Sequence, residues 1–193
     1  MCKGHLVYGA WMLTGRRMAR TRLYSAFAQS LMCCAILLVG CPAADSGTIK
    51  GTVSLRVVSV PDDADALADQ VIALINQARE RNNLNPLRKS AALTRLAESY
   101  AARMITGGFF SHTDPQTNEG PLQRALREGY MYLAVGENLA AGQTSPDAAV
   151  EDWMSSEEHR RTILSPQWDE VGVGVRTGGE YGVYWVMEFG NAP

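Results

Sequence analysis

Cysteine is absent from most of the chain. The 193 residues contain four cysteines, and all of them lie within the first 41 positions: Cys2, Cys33, Cys34 and Cys41. A disulfide framework for the remainder is therefore excluded, as is a cysteine–histidine catalytic pair within it. Histidine is nearly as scarce, and the chain has three: His5, His112 and His159. No internal repeat or low-complexity tract is present, which argues against a repeat architecture.

The N-terminal segment lacks acidic residues. The first 41 positions hold five of the 18 Lys and Arg, none of the 20 Asp and Glu, and the apolar run Leu31–Gly40 directly before Cys41. A basic segment followed by about ten apolar residues is typical of a secretory signal peptide, and it is too short for a membrane-spanning helix, which needs about 20 residues. We therefore predict a signal peptide over residues 1–40.

The signal ends in the letters LVGC, Leu38–Cys41, which resemble the lipobox of bacterial lipoproteins. Such a chain is cut before the cysteine, and that cysteine becomes the lipid-bearing N-terminus. The pattern predicts an extracytoplasmic, membrane-anchored lipoprotein whose partner is the membrane, through lipidated Cys41. The alternative is ordinary cleavage just after Cys41, which would release a soluble secreted protein.

The rest of the chain is acidic. Because the first 41 positions take five cations and no anion, residues 42–193 keep 13 Lys and Arg against 20 Asp and Glu, a net charge of −7. An acidic surface argues against nucleic acid as a partner. Small residues and one alternating stretch over 42–61 predict a linker, with a single strand as the alternative. Residues 62–193 are enough for one domain with its own core.

Hydrophobic periodicity predicts helices followed by a late hairpin. Four helices are predicted, over 62–82, over 90–106, over 121–129, and from Pro146 onward behind a cap at Thr144 or Ser145. The period then becomes two, because VGVGVR alternates three valines with Gly172 and Gly174. TGGE turns the chain into YGVYWVMEF, which completes the hairpin. This order predicts an α+β fold in layers and not a parallel doubly wound sheet.

Three polar side chains stand at the ends of these elements. His112 follows the second helix in GGFFSHTDP, Glu137 lies in the loop-like VGENLAAG, and His159 lies at or just past the end of the fourth helix. A lone histidine is more often a packing residue, but polar groups on loops held by apolar elements are typical of binding sites. Spacings of 25 and 22 residues match no metal motif such as HExxH.

The same segments resemble the bacterial branch of the CAP (SCP-like extracellular) superfamily. The resemblance runs in order from FFSHTDP through GENLAAG and WMSSEEHRRTIL to VGVGV and YWVMEFG, and INQARERNNLNPL upstream fits it, with Asn83 where glycine is usual. It covers about residues 66–190. The resemblance implies a three-layer α-β-α sandwich with a surface cleft, which a His-Glu-Glu-His tetrad lines in many members.

Within that resemblance, three tetrad positions are filled. His112 matches the first histidine, Glu137 the glutamate and His159 the last histidine. The fourth position is Ser156, where tetrad members have glutamate. Glu157 follows directly and is a candidate to bend into the cleft, although solvation is the usual fate of such a residue.

Three further positions, and four aromatic side chains, lie near the predicted cleft. Glu158 and Asp152 are the other carboxylates close to Ser156 in sequence. Met187 stands where relatives tend to have glutamine, so one polar contact near the cleft would be missing. The aromatics Phe109, Phe110, Trp153 and Trp185 either line the cleft or pack in the core, and we expect core packing for both tryptophans.

The chemistry of the three residues leaves two interpretations open. Two imidazoles and a carboxylate are a plausible ligand set for zinc with a position left for water, and some family members bind a metal through the two histidines. Zinc would then be an optional cofactor held by His112 and His159. Alternatively, Glu137 hydrogen-bonds one imidazole and fixes its tautomer without a metal.

The family resembles binding modules more than one enzyme class, so we expect a non-enzymatic protein. The cleft, with Ser156 and Glu157 beside the three tetrad residues, would bind a small molecule, a lipid or a cell-wall component. A metal-dependent hydrolase is the alternative, in which His112 and His159 hold an activated water and Glu137 is the base. A non-catalytic interaction or scaffold lipoprotein is a third interpretation.

Overall fold

The computed structural model describes residues 56–191. The predicted signal peptide, Cys41 and most of the 42–61 linker therefore lie outside the described residues. The described part forms these elements in chain order: β1 (Val58–Ser59), α1 (Ala64–Arg81), β2 (Arg88–Lys89), α2 (Ala91–Gly107), α3 (Pro121–Arg127), β3 (Ala134–Ala141), α4 (Pro146–Ser155), α5 (Glu157–Ile163), β4 (Glu170–Gly178) and β5 (Gly182–Asn191). The first three predicted helices are present within two residues of their predicted bounds.

Local sequence signals explain where the helices begin and end. The Ser145 hydroxyl accepts a hydrogen bond from the backbone N–H of Ala148 at 3.2 Å, directly before Pro146 at the first position of α4, as the cap pattern predicts. Asn83 follows α1 with a φ of 59°, and Gly108 ends α2 with a φ of 68°. Both lie in the left-handed region that terminates helices. No helix within residues 56–191 is long and apolar enough to cross a bilayer.

The sheet is built around the C-terminal hairpin. Its strand order is β1-β4-β5-β3 with antiparallel neighbours, and β2 adds a short parallel pairing to β4. The predicted hairpin of β4 and β5 is confirmed, and its turn uses Gly178 and Gly179, whose φ angles are 129° and 62°. Val58 and Ser59 pair with the far end of β4, so the last residues of the predicted linker take part in the sheet.

Side chains from the two faces of the sheet pack against different helices. One face carries Val171, Val173, Trp185 and Met187 and packs against α1, α4 and α5. The opposite face carries Tyr184 and Val186 and packs against α2. Burying each of these large side chains stabilises the fold by about 1.5–3 kcal/mol relative to leaving it exposed. The predicted three-layer α-β-α sandwich is therefore confirmed.

Glycines in β4 allow the helical layer to approach closely. A Cβ at Gly172 would lie 2.2 Å from the backbone carbon of Leu93, and one at Gly174 would lie 2.3 Å from the backbone nitrogen of Glu98. Both neighbours belong to α2. Because valines alternate with these glycines, β4 turns a face without side chains towards α2, and the two backbones lie in close contact.

Candidate functional site

His112 lies on the loop between α2 and α3, and hydrogen bonds fix this loop on both sides of it. The Tyr100 hydroxyl of α2 donates to the carbonyl oxygen of Ser111 at 2.5 Å. Two residues after His112, Asp114 accepts from Arg103 Nε at 2.6 Å and also from loop backbone N–H groups. The loop is thus tied to the rigid α2, which holds His112 in one place.

Glu137 lies in the middle of β3, so the prediction of a loop around it is wrong. The strand pairs with β5 along its whole length. The flanking residues that indicated a turn have packing roles instead. A Cβ at Gly136 would lie 2.7 Å from the Trp168 ring, and Asn138 donates from its amide to a backbone oxygen of α5 at 3.1 Å. A glycine and an asparagine therefore stand inside a regular strand.

A buried hydrogen-bonded chain connects His112, Glu137 and Arg124. His112 Nδ1 lies 2.7 Å from Glu137 Oε1, and Arg124 Nη2 lies 2.5 Å from Glu137 Oε2. The side chains of Glu137 and Arg124 are 1% and 2% exposed, whereas that of His112 is 27% exposed. Arg124 also donates to the carbonyl oxygen of His112 at 2.9 Å and stacks on the Tyr100 ring. One end of the imidazole is therefore fixed, and the other remains accessible.

The charge of Glu137 determines which nitrogen of His112 carries the proton. Burial raises the pKa of Glu137, but the nearby Arg124 cation and the hydrogen bonds from His112 and Glu188 outweigh it and hold this pKa below its ordinary value. An ionised Glu137 can only accept hydrogen bonds, so we assign the proton to His112 Nδ1. A neutral His112 then presents Nε2 to the cleft as a hydrogen-bond acceptor.

His159 lies on a short helix of its own. The sequence predicted it at or just past the end of α4, but α4 stops at Ser155 and His159 belongs to α5. Its Nδ1 is buried and has no hydrogen-bond partner. Burial and then the charge of His112 lower the pKa of His159. The unpartnered nitrogen favours a ligand atom or water at this place.

Neither Glu157 nor Asp152, near the fourth tetrad position, supplies a hydrogen-bonding carboxylate to the histidines. Ser156 stands between α4 and α5 with its side chain half-buried. Glu157 is 77% exposed and pairs with Arg161 at 2.8 Å on the surface of α5. Asp152 is exposed and accepts from Gln143 at 3.1 Å, and its charge raises the pKa of His159 only as a minor contribution.

Met187 lies on the other face of β5 from the histidine–glutamate pair. It is fully buried in the core formed with α1, α4 and α5. Its neighbour across the strands is Asn138, whose Oδ1 is buried without a hydrogen-bond donor. A glutamine at position 187 would place an N–H donor beside this oxygen, so the missing contact lies on the face of the sheet opposite to the Glu137 side chain. Trp153 and Trp185 pack in the same core, as expected.

Sequence reasoning missed Arg124 and Glu188. Arg124 lies on α3 among surface residues, and no pattern in its surroundings marks it as inward-facing. Glu188 had a readable signal, because in the alternation of β5 it falls on the same face as Tyr184 and Val186. Glu188 is fully buried and lies directly across from Glu137. A charged residue at an inward position of a predicted strand is itself an indication of a functional or paired group.

A bound metal requires more ligands than these residues provide. Within residues 56–191 no group of three or more histidine, cysteine or carboxylate side chains is arranged to hold an ion. Both oxygens of Glu137 are engaged by Arg124 and His112, which leaves two imidazoles alone. The geometry therefore fits the interpretation in which Glu137 fixes the imidazole tautomer, and it does not form a three-ligand zinc site.

A polar cavity of about 140 Å³ adjoins the site. It shares Tyr100 and Arg124 with the buried chain of hydrogen bonds, and its other walls include Arg103, Asp114 and Arg127. These walls combine cations, the carboxylates of Asp114 and Glu119, and an aromatic ring, which suits a small polar group better than an alkyl chain.

The chain matches one protein family over most of its length. The sequence model of the cysteine-rich secretory protein family, CAP, matches residues 72–189. Among curated relatives, the uncharacterised protein YkwD of Bacillus subtilis is 34% identical over 131 residues, which are 68% of this chain and 49% of that protein. The uncharacterised membrane protein YlbC of the same organism is 32% identical over 107 residues, 55% of this chain and 30% of that protein. The chain thus spans half or less of these relatives.

Solved structures share the fold. An extracellular SCP-domain protein from Bacillus anthracis aligns with a TM-score of 0.61 and 25% identity over 69% of this chain and 44% of that one. An outer surface protein from Borrelia burgdorferi aligns with a TM-score of 0.63 and 20% identity over 72% of this chain and 99% of that one. The second likeness, at this identity, concerns the fold alone.

Proposed function

The chain belongs to the cysteine-rich secretory protein (CAP) family, and from that premise we propose that its cleft binds a polar component of the cell envelope. The observation that carries the proposal is the bond of 2.7 Å from His112 Nδ1 to the buried Glu137. It holds the ring in one orientation and leaves Nε2 as an acceptor for a ligand hydroxyl or amide N–H. The unpartnered Nδ1 of His159 offers a second position on the opposite side.

The neighbouring cavity supports a polar ligand over a lipid chain. Its walls carry the charged groups of Arg103, Asp114, Arg124 and Arg127. A glycan fragment of the cell wall with an attached peptide combines hydroxyl and amide groups for the histidines with a charged group for this cavity. Because an alkyl chain would desolvate these charges without pairing them, we place lipid second.

Ser111 neighbours His112 and Ser155 lies four residues before His159, so these two hydroxyls are candidate nucleophiles, and their contacts agree with binding without turnover. The Ser111 hydroxyl accepts from the backbone N–H of Thr113 at 3.1 Å, and the Ser155 hydroxyl donates to the carbonyl of Asp152 at 2.8 Å. Each is engaged by backbone and not by a histidine, so neither serine is activated by a base. The metal-dependent hydrolase would need a third ligand from outside this residue set.

The proposed location is the outer side of the membrane. The related Bacillus anthracis protein is described as extracellular, and the basic and apolar leader with its LVGC ending suits export and lipidation at Cys41. Residues 42–55 would then be the tether between the lipid and β1. A tether of about 14 residues reaches at most roughly 50 Å when fully extended, so the cleft would sample the wall close to the membrane.

A titration with a defined wall fragment tests this function. The probe is a disaccharide–peptide unit of peptidoglycan, added to the full-length protein while the ring nitrogens of His112 and His159 are followed by nuclear magnetic resonance. His112→Asn retains an N–H for Glu137 but removes Nε2, and we expect it to weaken binding about tenfold or more. Glu157→Gln, on the exposed face of α5, is the control and should bind like the wild type.

Three outcomes would contradict the proposal. Equal binding by His112→Asn and wild type would place the ligand outside the cleft. Binding of phosphatidylglycerol vesicles by a lipid-free form, with His112 dependence and no response to the wall fragment, would make lipid the ligand. No histidine-dependent binding of either probe would leave the interaction-lipoprotein interpretation.

A further inference from the structure

Glu188 is a carboxyl group in a place where an anion has no support. It is 0% exposed, and neither of its oxygens receives a hydrogen bond from a donor. An isolated buried carboxylate is very costly, because nothing in the protein replaces the hydrogen bonds it would make with water. The residue therefore needs a partner that accepts a hydrogen bond from its protonated form.

The neighbours of Glu188 leave only one such partner. Across the sheet it faces Glu137 on β3 and Gly172 on β4, and glycine has no side chain. From the helices, the groups that act on it are the Arg124 cation of α3 and the Tyr100 ring of α2. Arg124 gives one Nη to Glu137 and the other to backbone oxygens, and its Nε, buried without a hydrogen-bond partner within residues 56–191, does not donate to Glu188 either. Glu137 is thus the acceptor within reach.

We infer that Glu188 is a neutral carboxylic acid whose O–H donates a hydrogen bond to Glu137, so that the two carboxyl groups carry one negative charge and Glu188 is a positioning residue of the cleft. The charge count supports this arrangement, since one buried cation, Arg124, then balances one buried anion. Glu137 would accept three hydrogen bonds, from His112, Arg124 and Glu188, which fixes its plane and with it the imidazole. Burial and the Glu137 charge raise the pKa of Glu188 well above its ordinary value, which agrees with the geometry.

The positioning role rests on the proposed ligand-binding function of the cleft, whereas the protonation state is measured without any ligand. A failure of the ligand-binding proposal can therefore be told from a failure of the assignment of a proton to Glu188. The first measurement uses the wild-type full-length protein with carbon-13 in its glutamate carboxyl groups. At pH 7 one resonance should stay at the position of a protonated acid, and Glu137→Gln should shift it most.

The second measurement is the pH dependence of unfolding in Glu188→Gln. In the unfolded chain Glu188 ionises above about pH 4.3, whereas in the folded protein it keeps its proton. This ionisation contributes a loss of stability in the wild type as the pH rises through this range, and that contribution is absent from the glutamine variant, which cannot ionise at this position. The ratio of the two unfolding constants should change about tenfold per pH unit between pH 5 and pH 7. Glu180→Gln, in the exposed hairpin turn, should leave the ratio flat.

A third readout separates positioning from simple packing. Glutamine can still donate to Glu137, whereas leucine fills a similar volume without a donor. We expect the Nδ1 proton resonance of His112 to be retained in Glu188→Gln and shifted or broadened in Glu188→Leu. Two results would overturn the inference: no protonated carboxyl resonance at pH 7 in the wild type, or an unfolding ratio that does not change with pH. The wild-type spectrum decides the question even where a variant fails to fold.

Discussion

Removing Arg124 should destabilise the protein more than removing any surface arginine. Its side chain is 2% exposed and pairs at 2.5 Å with Glu137, which is 1% exposed. Breaking such a buried pair by deleting one partner costs about 3–5 kcal/mol, because the remaining charge keeps its desolvation penalty without its counter-ion. Arg124→Met also removes the side-chain donor to the carbonyl oxygen of His112 and leaves the carbonyl oxygen of Glu119 with only the N–H of Asp114, so the upper part of that range is expected.

The same helix offers a matched control. Arg127 lies on α3 one turn away and pairs with Glu119, but its side chain is 52% exposed, and such pairs contribute about 0–1 kcal/mol. Arg127→Met should therefore change stability little. In thermal unfolding the difference between the two variants should be roughly 10–20 °C, at about 3–4 °C per kcal/mol for a domain of this size.

A double variant tests the reason for the loss. If the uncompensated Glu137 anion causes it, Arg124→Met combined with Glu137→Gln should recover part of the stability that Arg124→Met loses alone. Urea unfolding at pH 7 gives the free energies for this cycle. A cost below about 1 kcal/mol for Arg124→Met, or no recovery in the double variant, would refute the description of this pair as buried and mutually dependent.

Three further predictions follow from other features of the fold and the cleft. Burial and the His112 charge lower the pKa of His159, so at this residue the folded protein binds fewer protons than the unfolded chain, and this contribution to stability is lost as the pH falls below about 6.5. His159→Gln should lessen this loss when the free energy of urea unfolding is measured between pH 7 and pH 5. An equal dependence of that free energy on pH in the wild type and the variant would contradict the prediction. Gly174→Ala should lower the free energy of unfolding by about 3 kcal/mol, because its Cβ would lie 2.3 Å from the backbone of α2. The control is Gly120→Ala, whose Cβ would meet only a flexible glutamine oxygen at 3.2 Å, and it should cost less than about 1 kcal/mol in the same assay. After the cysteines are alkylated, calorimetry should find the same zinc binding, or none, in the wild type and in the His112→Ala/His159→Ala variant. Micromolar zinc binding that is lost in the variant and weakened below about pH 6 would restore the metal-site interpretation.

The layers of the fold could be predicted because each depends on a periodic signal. Helices of three or more turns bury a stripe of side chains, so α1 and α2 show the three-and-four spacing that places Val71 or Leu96 inward. The alternation in β4 was informative for the same reason, because a strand face made of glycines packs well only where another backbone lies directly against it. Short elements carry less information, and α5, with seven residues, could not be separated from α4.

Glu137 shows where local sequence and tertiary structure disagree. Glycine and asparagine on either side predict a turn, because both are unfavourable in strands. Their positions in β3 are determined by distant residues, the Trp168 ring over Gly136 and the backbone of α5 beside Asn138. No window of sequence around Glu137 contains this information. The resemblance to the family could give the residue its place in the site but not its backbone conformation.

The same limit applies to the charges that make the site work. A sequence gives the ionisable residues but not which of them meet, and Arg124 meets Glu137 only because the loop of His112 brings α3 over the edge of β3. Two acids, one guanidinium and one imidazole then form a buried group in which each member depends on another. Neutral Glu188 leaves Glu137 as the single anion, Arg124 balances that anion, and the anion fixes the tautomer of His112. The accessible Nε2 is therefore the outer end of a chain that begins at Glu188, and we expect its properties as an acceptor to respond to changes at a residue that no ligand touches.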